Sequence, residues 1–400
     1  MNAAPPLSVR NPRTGKIDRE ITPPGAAEVA AICSQLRAAQ RAWGATTLEH
    51  RIEVMRAWAD KLRAYKPRLV EADSTDTGYG QISKVAPDMV IGSIMRHCSI
   101  APGIFAQAAH AGVSPGAPNI SFATLLKPYP VAGIIGPWNA PLMLSTLHAI
   151  PALFAGCAVL VKPSEVAPRF VEPIMQCIGE IPELAAVLRY IVGDGQTGAA
   201  IVDNVDIVNF TGSVPNGRKV AEACARRFIP CMLELGGKDP VVITQTADLD
   251  RAASAVLRGA VTSTGQVCFS IERVYVHESV HDEFVERLAA KAEQVQFKIP
   301  DDPDFEIKAL VDFIGVIPAK SSITIPISIR AREDSPSIAA AMTAASNNVL
   351  PAGANGADMP ITPQGWGNTF AKCLGISIDY TYECRNGKKR ESPGLVVTLS

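Results

Sequence analysis

The sequence predicts an α/β protein with a parallel sheet, on three observations. Short apolar runs at 158–161, 190–192, 207–210 and 241–243 alternate with helical patterns, as a parallel sheet with crossover helices requires. Polar segments rich in turn formers follow three of them directly: Lys162-Pro163-Ser164-Glu165, Gly193-Asp194-Gly195 and Thr211-Gly212-Ser213. The 400 residues, 47% hydrophobic and 19% charged, suit two or three globular domains.

Taken in order, residues 26–42 and 48–65 read as amphipathic helices. In the second, Ile52, Met55, Ala59 and Leu62 share one face, with Glu, Arg and Lys between them. Residues 89–109 form a third helical stretch, broken near Pro102. Residues 120–126 and 131–135 are strand-like and joined through Pro128-Tyr129-Pro130. From about Ile307 the alternation fades into Ser-, Ala-, Ile- and Pro-containing segments such as 321–329 and 352–363, with a charged patch at 385–391. This tail reads either as an irregular subdomain or as a stretch never selected to pack with the rest.

Composition narrows the function classes. A net charge of −1 gives no reason to expect nucleic acid or an anionic membrane as partner. Nine irregularly spaced cysteines, without a CxxC pair, do not read as a disulfide framework, and six scattered histidines argue against a metal site. The start has no signal-peptide core, and the apolar run 150–161, which contains Pro151 and Gly156, is too short to span a bilayer. These features point to a reducing, cytoplasmic setting.

Several segments carry chemistry. Gly265-Gln266-Val267-Cys268 ends a run of small and polar residues in a thiol. Cys268 reads as a nucleophile, against the bland role of a small core residue that suits Cys157, Cys177, Cys224 and Cys231. Glu234, just ahead of Leu235-Gly236-Gly237-Lys238, reads as a base that activates water to release a covalent product. Its place after Met232-Leu233 predicts partial burial, which raises a carboxyl pKa; the alternative is a surface carboxylate. In Trp138-Asn139-Ala140-Pro141, the Asn139 amide is a neutral donor suited to an oxyanion, and on this segment alone equally a turn former.

Lys162 and Glu165 lie beyond a strand's carboxyl end, where α/β sheets bind ligands, and suit ribose hydroxyls. A solvated loop is the alternative. A carboxylate at Glu165 would favour NAD over NADP, because it repels a 2′-phosphate. Gly193–Gly198 spells GxGxxG, a weak signal by itself. Gly212-Ser213 before a helix at 218–227 is the better phosphate site, since helix N-termini offer N–H groups; the alternative is an ordinary Ser cap.

Assembled in order, Pro137-Trp138-Asn139, Lys162-Pro163-Ser164-Glu165, Phe210-Thr211-Gly212-Ser213, Glu234-Leu235-Gly236-Gly237-Lys238 and Gly265-Gln266-Val267-Cys268 resemble the NAD(P)-dependent aldehyde dehydrogenase superfamily over about residues 11–307. The resemblance implies an α/β, aldehyde dehydrogenase-like fold: a Rossmann-type cofactor domain plus an incomplete α/β catalytic domain. It divides the chain into an N-terminal helical part (1–110), an oligomerisation hairpin (111–131), the NAD-binding domain (132–238), the start of the catalytic domain (239–306) and a divergent tail (307–400). Cys268 would be the nucleophile and Glu234 the general base. Asn139 and the Cys268 N–H would form the oxyanion hole. Lys162 and Glu165 would hold the adenosine ribose, and the turn from Gly212 through Ser213 to Gly217 the pyrophosphate. Trp138, Gly195 and Leu235 complete the implied cofactor set. NAD, or NADP, would be the cofactor, an aldehyde the substrate and a homo-oligomer the assembly, with no metal.

Ala140, where many relatives carry a large aromatic, and the segment from Gly265 to Arg273 resemble the benzaldehyde-type branch, which implies an aromatic substrate such as 4-formylbenzenesulfonate. The family normally continues with a Glu that grips the nicotinamide ribose and a final strand that pairs across subunits. Neither is found in 307–400, as a shifted reading frame or gene rearrangement would produce. A catalytically defective relative is therefore the alternative expectation. Glu234 speaks against a third, an acylating relative that passes its thioester to coenzyme A.

Overall fold

Five parallel strands, interleaved with helices, set the frame of this protein. The computed structural model describes residues 6–12, 14–108 and 111–295, then four two-residue strands, Ser322–Ile323, Ser328–Ile329, Thr381–Tyr382 and Val397–Thr398. Those four apart, the stretch 307–400, and with it the expected divergent tail, lies outside the described residues. The described chain falls into two compact units, one drawn from Met1–Gly237 and Thr262–Ser270, the other from Lys238–Val261 and Ile271–Phe297.

The first unit opens with an antiparallel ribbon, β1 (Leu7–Arg10) and β2 (Ile17–Ile21). Three long helices follow: α1 (Ala26–Ala45), α2 (Leu48–Thr77) and α3 (Gln81–Ala108). Thr47 caps α2 by accepting from the His50 N–H at 3.2 Å. The expected stripe of α2, Ile52, Met55, Ala59 and Leu62, is buried. A matching stripe on α3 comprises Ser83, Ala86, Val90, Ile94, Cys98 and Ala101, at the three- and four-residue spacing that turns one helix face inward. The stretch Ile82–Ala108 is, by length and composition, apolar enough to cross a membrane; here its buried stripe belongs to the core shared with α2.

Helix ends differ from the sequence expectation. α2 runs on past Tyr65 through Pro67, and α3 is unbroken at Pro102. Pro67, Arg63 and Pro102 are all exposed. Water can therefore satisfy the carbonyl that Pro67 strips of its partner at Arg63, which softens the usual penalty.

Next come a hairpin, β3 (Ala111–Ser114) and β4 (Ala117–Ala123), and the main alternation. It runs β5 (Val131–Ile135), α4 (Pro141–Leu147), α5 (Ala149–Ala155), β6 (Ala158–Lys162), α6 (Val171–Gly179), α7 (Pro182–Val187), β7 (Leu188–Tyr190), α8 (Gly195–Val202), β8 (Ile207–Thr211), α9 (Val214–Arg226) and β9 (Cys231–Glu234). The sheet order is β7-β6-β5-β8-β9, all parallel. The first strand is thus central, and the order reverses between β5 and β8, the doubly wound arrangement that opens a ligand crevice at the carboxyl ends.

Every residue of β5 and β6 is buried, each large aliphatic contributing about 1.5–3 kcal/mol. β7 begins two residues earlier than the apolar run 190–192, because its middle residue, Arg189, points outward and hides the strand in the sequence. β4 likewise starts earlier than 120, pairing back onto β3 across the turn at Gly116. β9 is not among the apolar runs, since a four-residue edge strand with alternating exposure leaves little apolar signal.

Glycines set the spacing on both faces of β5. A Cβ on Gly133 would stand 2.8 Å from Ile201 Cγ2 in α8 and 3.0 Å from Val205. A Cβ on Gly136 would stand 2.0 Å from Ser145 Oγ in α4. The two positions differ in strand parity, so α8 and α4 cover opposite faces. Beneath α5, three polar side chains from α1 and α2 take up its terminal carbonyls: Trp43 Nε1 donates to Leu153 (3.1 Å), Arg51 Nε to Phe154 (3.0 Å) and Gln40 Nε2 to Gly156 (2.9 Å). The Phe154 and Gly156 carbonyls are acceptors a helix end leaves unpaired, while the Leu153 carbonyl also accepts from the Gly156 N–H at 3.0 Å.

The second unit contains a parallel pair, β10 (Asp239–Ile243) and β11 (Ile271–Val276), with α10 (Leu249–Val261) and α11 (His281–Glu293). Its small core gathers Ile243, Leu249, Ala253, Val256 and Phe284. The α/β class expected from the sequence is the one observed.

Replacing Gly133 with Ala should cost about 1–3 kcal/mol, because the new methyl must displace the packed side chains of Ile201 and Val205. The urea midpoint should fall with an unchanged slope; an unmoved midpoint would show that α8 gives way freely.

Candidate active site

Parallel pairing places several sequence motifs at one rim. Ile135 at the end of β5 stands opposite Lys162 of β6 and Phe210 of β8, and Thr211 stands opposite Glu234 of β9. A cleft of about 840 Å³ opens there, lined by Trp138, Asn139, Lys162, Glu165 and Glu234, and by Cys268 from the returning segment Thr262–Ser270. Gly195, Gly212, Ser213 and Leu235 also line it. Gly217 lies just behind, in the first turns of α9, where a Cβ would stand 2.5 Å from Leu235 Cδ2.

From the end of β5 the chain turns through Gly136 and Pro137 to an exposed Trp138 and a half-buried Asn139. Asn139 Nδ2 donates to the Gln266 carbonyl at 2.7 Å, two residues before Cys268. The α4 helix that follows lacks a side-chain cap of its own at Ala140. Asp73 of α2 supplies one from across the fold, accepting from the Leu142 N–H at 3.4 Å and from Ser83 Oγ at 2.6 Å.

Lys162 is buried, and its Nζ donates to the Pro163 carbonyl (3.0 Å) and to Glu165 Oε2 (3.3 Å). Burial pushes the ammonium below its ordinary value, while Glu165 and Asp194 pull it back up. A cation fixed this way at a strand end is pre-oriented toward hydroxyl or carboxylate oxygens.

Two helix N-termini face the cleft, and they differ. At α8, within the GxGxxG segment, Asp194 Oδ1 accepts from Gln196 N (2.9 Å) and Thr197 N (3.1 Å). Those N–H groups are already taken by a carboxylate, which would also repel phosphate. At α9, Ser213 occupies the cap position without a side-chain cap hydrogen bond. The helix starts at Val214 rather than at Arg218, because Pro215 fits the first turn, where no N–H is needed. The open N-terminus is therefore that of α9, the arrangement suited to a phosphate.

Cys268 is exposed, whereas Cys33, Cys98, Cys157, Cys177 and Cys224 are buried. Burial raises all five of those thiols, Cys33, Cys157 and Cys224 to about 11 and Cys177 to about 12. Thiols held so far up are inert at neutral pH.

Glu234 departs from expectation. It is exposed, not partly buried. The apolar pair before it misled, because a strand alternates: Leu233 turns inward, while Met232 and Glu234 share the outward side of an edge strand. Tyr79, which no sequence motif signals, proves to touch the segment that carries Cys268. Its hydroxyl lies 2.8 Å from Gln266 Oε1 and 3.2 Å from the Ser263 carbonyl.

The aldehyde dehydrogenase family is matched over residues 2–314. The 2-hydroxymuconic semialdehyde dehydrogenase of Pseudomonas sp. is 32% identical over 311 residues, which is 75% of this chain and 63% of that protein. A protein of Mycolicibacterium smegmatis named putative succinate-semialdehyde dehydrogenase (NADP+) is 33% identical over 302 residues, 73% of this chain and 57% of that protein. Among solved structures, the putative aldehyde dehydrogenase PutA from Anabaena variabilis is 47% identical with a TM-score of 0.71, covering 73% of this chain and 62% of that one. This chain thus spans less than two thirds of the length of each of these relatives. Fold, strand-end rim and sequence agree: the chain belongs to the aldehyde dehydrogenase family, whose members use NAD or NADP.

Proposed function

We propose that this chain oxidises an aldehyde to its carboxylic acid through a thioester on Cys268, with NAD as cofactor. One observation carries the reading: the only exposed cysteine among the described residues lines the same strand-end cleft as Asn139, whose amide is bonded at 2.7 Å to the loop carrying that thiol. The Cys268 thiolate attacks the aldehyde carbon, and negative charge develops on the carbonyl oxygen. A second Asn139 amide hydrogen and the Cys268 backbone N–H are the donors that receive it. NAD, when bound, supplies the acceptor for the hydride. The acyl group left on sulfur is released by water, with Glu234 taking the proton.

The cleft suits a dinucleotide. The α9 N-terminus, with the Gly212–Gly217 turn, would take the pyrophosphate, and Lys162 with Glu165 the adenosine ribose; Trp138, Gly195 and Leu235 would border the same ligand. The carboxylate of Glu165 favours NAD over NADP. The aldehyde is aromatic, a substituted benzaldehyde such as 4-formylbenzenesulfonate, since the small Ala140 beside Asn139 leaves room for a flat ring. The names of the two curated relatives instead point to linear semialdehydes, so both classes belong in the assay. The protein works in the cytoplasm as a homo-oligomer joined through β3–β4, whose Val113, Ile120 and Phe122 are exposed, without nucleic acid or membrane as partner.

The exposure of Glu234 favours a second reading, a defective relative that acylates Cys268 but releases acid slowly. Glu234 stands exposed on an edge strand, whereas a general base works from a fixed position within hydrogen-bond reach of the water it activates.

Iodoacetamide at pH 8 should label Cys268 before any of the five buried cysteines, as read by peptide mass spectrometry; prior labelling of Cys157 or Cys177 would contradict the cleft geometry. With NAD and a panel of benzaldehydes and semialdehydes, the chain should give a burst of NADH equal to its own concentration, absent from Cys268→Ala. Substantial oxidation by that variant would sink the assignment. Sustained turnover after the burst supports the first reading, and its absence the second.

Glu234→Gln should keep the burst and lower steady turnover by about 10²–10⁴-fold, the usual contribution of a general base. An equal fall in both would remove Glu234 from the release step.

A further inference from the structure

The segment that delivers Cys268 is held in an uncommon backbone shape. Ser263 (φ 52°), Thr264 (φ 55°) and Gly265 (φ 75°) are successive left-handed residues. For a β-branched threonine such a conformation is a genuine outlier. It persists only where surroundings over-determine it. Three side chains do so here. Ser270 Oγ donates to the Gly265 carbonyl at 2.9 Å, Asn139 Nδ2 to the Gln266 carbonyl at 2.7 Å, and Tyr79 OH to Gln266 Oε1 at 2.8 Å, with the Ser263 carbonyl at 3.2 Å. Gln266 is thus gripped at its main chain by one residue and at its side chain by another.

The two gripping residues are themselves tied together. Tyr79 lies in the connection between α2 and α3, and its N–H donates to Thr77 Oγ1 at 3.2 Å. The Thr77 hydroxyl donates to the Asp73 carbonyl at 2.8 Å, and the buried Asp73 carboxylate accepts from Ser83 Oγ at 2.6 Å. Asp73 in turn accepts from Leu142 N, at the start of the helix that follows Asn139. A chain of hydrogen bonds therefore fixes the distance between Tyr79 and Asn139 around Gln266. Burial pushes the Tyr79 phenol above its ordinary value, so it remains a neutral donor.

We propose that Tyr79 is a positioning residue for the nucleophile: its hydroxyl, opposite Asn139, clamps Gln266 and so aims the Cys268 thiol at the donors that receive the oxyanion. The inference rests on Cys268 being the nucleophile. A tyrosine 187 positions away in sequence from Gln266 thereby takes part in setting the attack geometry without touching substrate.

The test compares two reactions of the same thiol in the full chain, with no cofactor needed. With p-nitrophenyl acetate, the Cys268 thiolate forms a bond to the acetyl carbon, the ester C–O bond breaks and p-nitrophenolate leaves with the electron pair. This reaction needs both aim and oxyanion donors. With iodoacetamide, sulfur displaces iodide at a saturated carbon, which needs neither. Tyr79→Phe should lower the rate of the nitrophenolate burst by about 10–100-fold, the scale of small misplacements near a reacting centre. Its alkylation rate should stay within about two-fold, with an unshifted pH midpoint, because thiolate formation is untouched. Gln266→Leu should reproduce this pattern, and the double variant should be no slower than the slower single one, as for residues in one network.

An unchanged burst in Tyr79→Phe overturns the proposal. So does an equal fall in both reactions, or a shifted alkylation midpoint, because the tyrosine would then act on thiolate formation or general folding. A wild-type chain that is alkylated but gives no burst overturns the nucleophile reading, and this inference with it. A normal wild-type burst that the variant retains overturns the inference alone.

Discussion

Everything at the candidate site depends on one constraint, the parallel pairing of β5 with β6 on one side and β8 on the other. Parallel strands finish at the same edge, so segments far apart in sequence leave the sheet side by side. Antiparallel pairing would send Lys162 and Thr211 to the opposite end from Asn139. The pairing in turn relies on close approach of helices to β5, which is why Gly133 and Gly136 have no room for a side chain. Packing thus comes first, and the chemistry inherits its geometry.

Buried polar groups then convert a packed frame into a specific one. Asp73 and Asp76 near the end of α2 are both buried. Asp76 accepts from Arg169 N (2.7 Å) and Nε (2.6 Å), and Asp73 reaches α3 and α4. Each carboxylate would be costly without these partners. With them, the end of α2 is locked to the loop after β6 and to the helix after β5, which directly follow Lys162 and Asn139. Such networks tolerate little misregistration, because a lost partner leaves a charge buried alone.

Much of this was legible in the sequence, for identifiable reasons. β5 and β8 could be read from apolar runs because both faces of a central parallel strand are buried. The GxGxxG segment reads as a weak signal in the sequence, and in the fold Asp194 occupies the α8 N-terminus. Cys268 and Asn139 stand out in the sequence because each sits in a short motif, and both line the same cleft. What escaped was whatever depends on the far side of the fold. The exposure of Glu234 follows from β9 being an edge strand, a fact about neighbours rather than about Met232 and Leu233. The contact of Tyr79 with Gln266 joins parts of the chain that no periodicity connects. The end of α2 escaped because a helix tolerates proline where water replaces the lost partner, here at the carbonyl of the exposed Arg63 opposite Pro67.

The carbonyl ends of α5, met by Trp43, Arg51 and Gln40, bear on how the molecule comes apart. Helices α1 and α2 resemble an N-terminal appendage in the linear chain, yet they complete the hydrogen bonding of an element that leads directly into β6. Peeling them away would leave the Phe154 and Gly156 carbonyls stranded over an apolar sheet, a state less favourable than opening the sheet as well. The first sixty residues and the central strands therefore belong to a single cooperative unit. A fragment that began at β5 would inherit the motifs and lose the means to keep them in register.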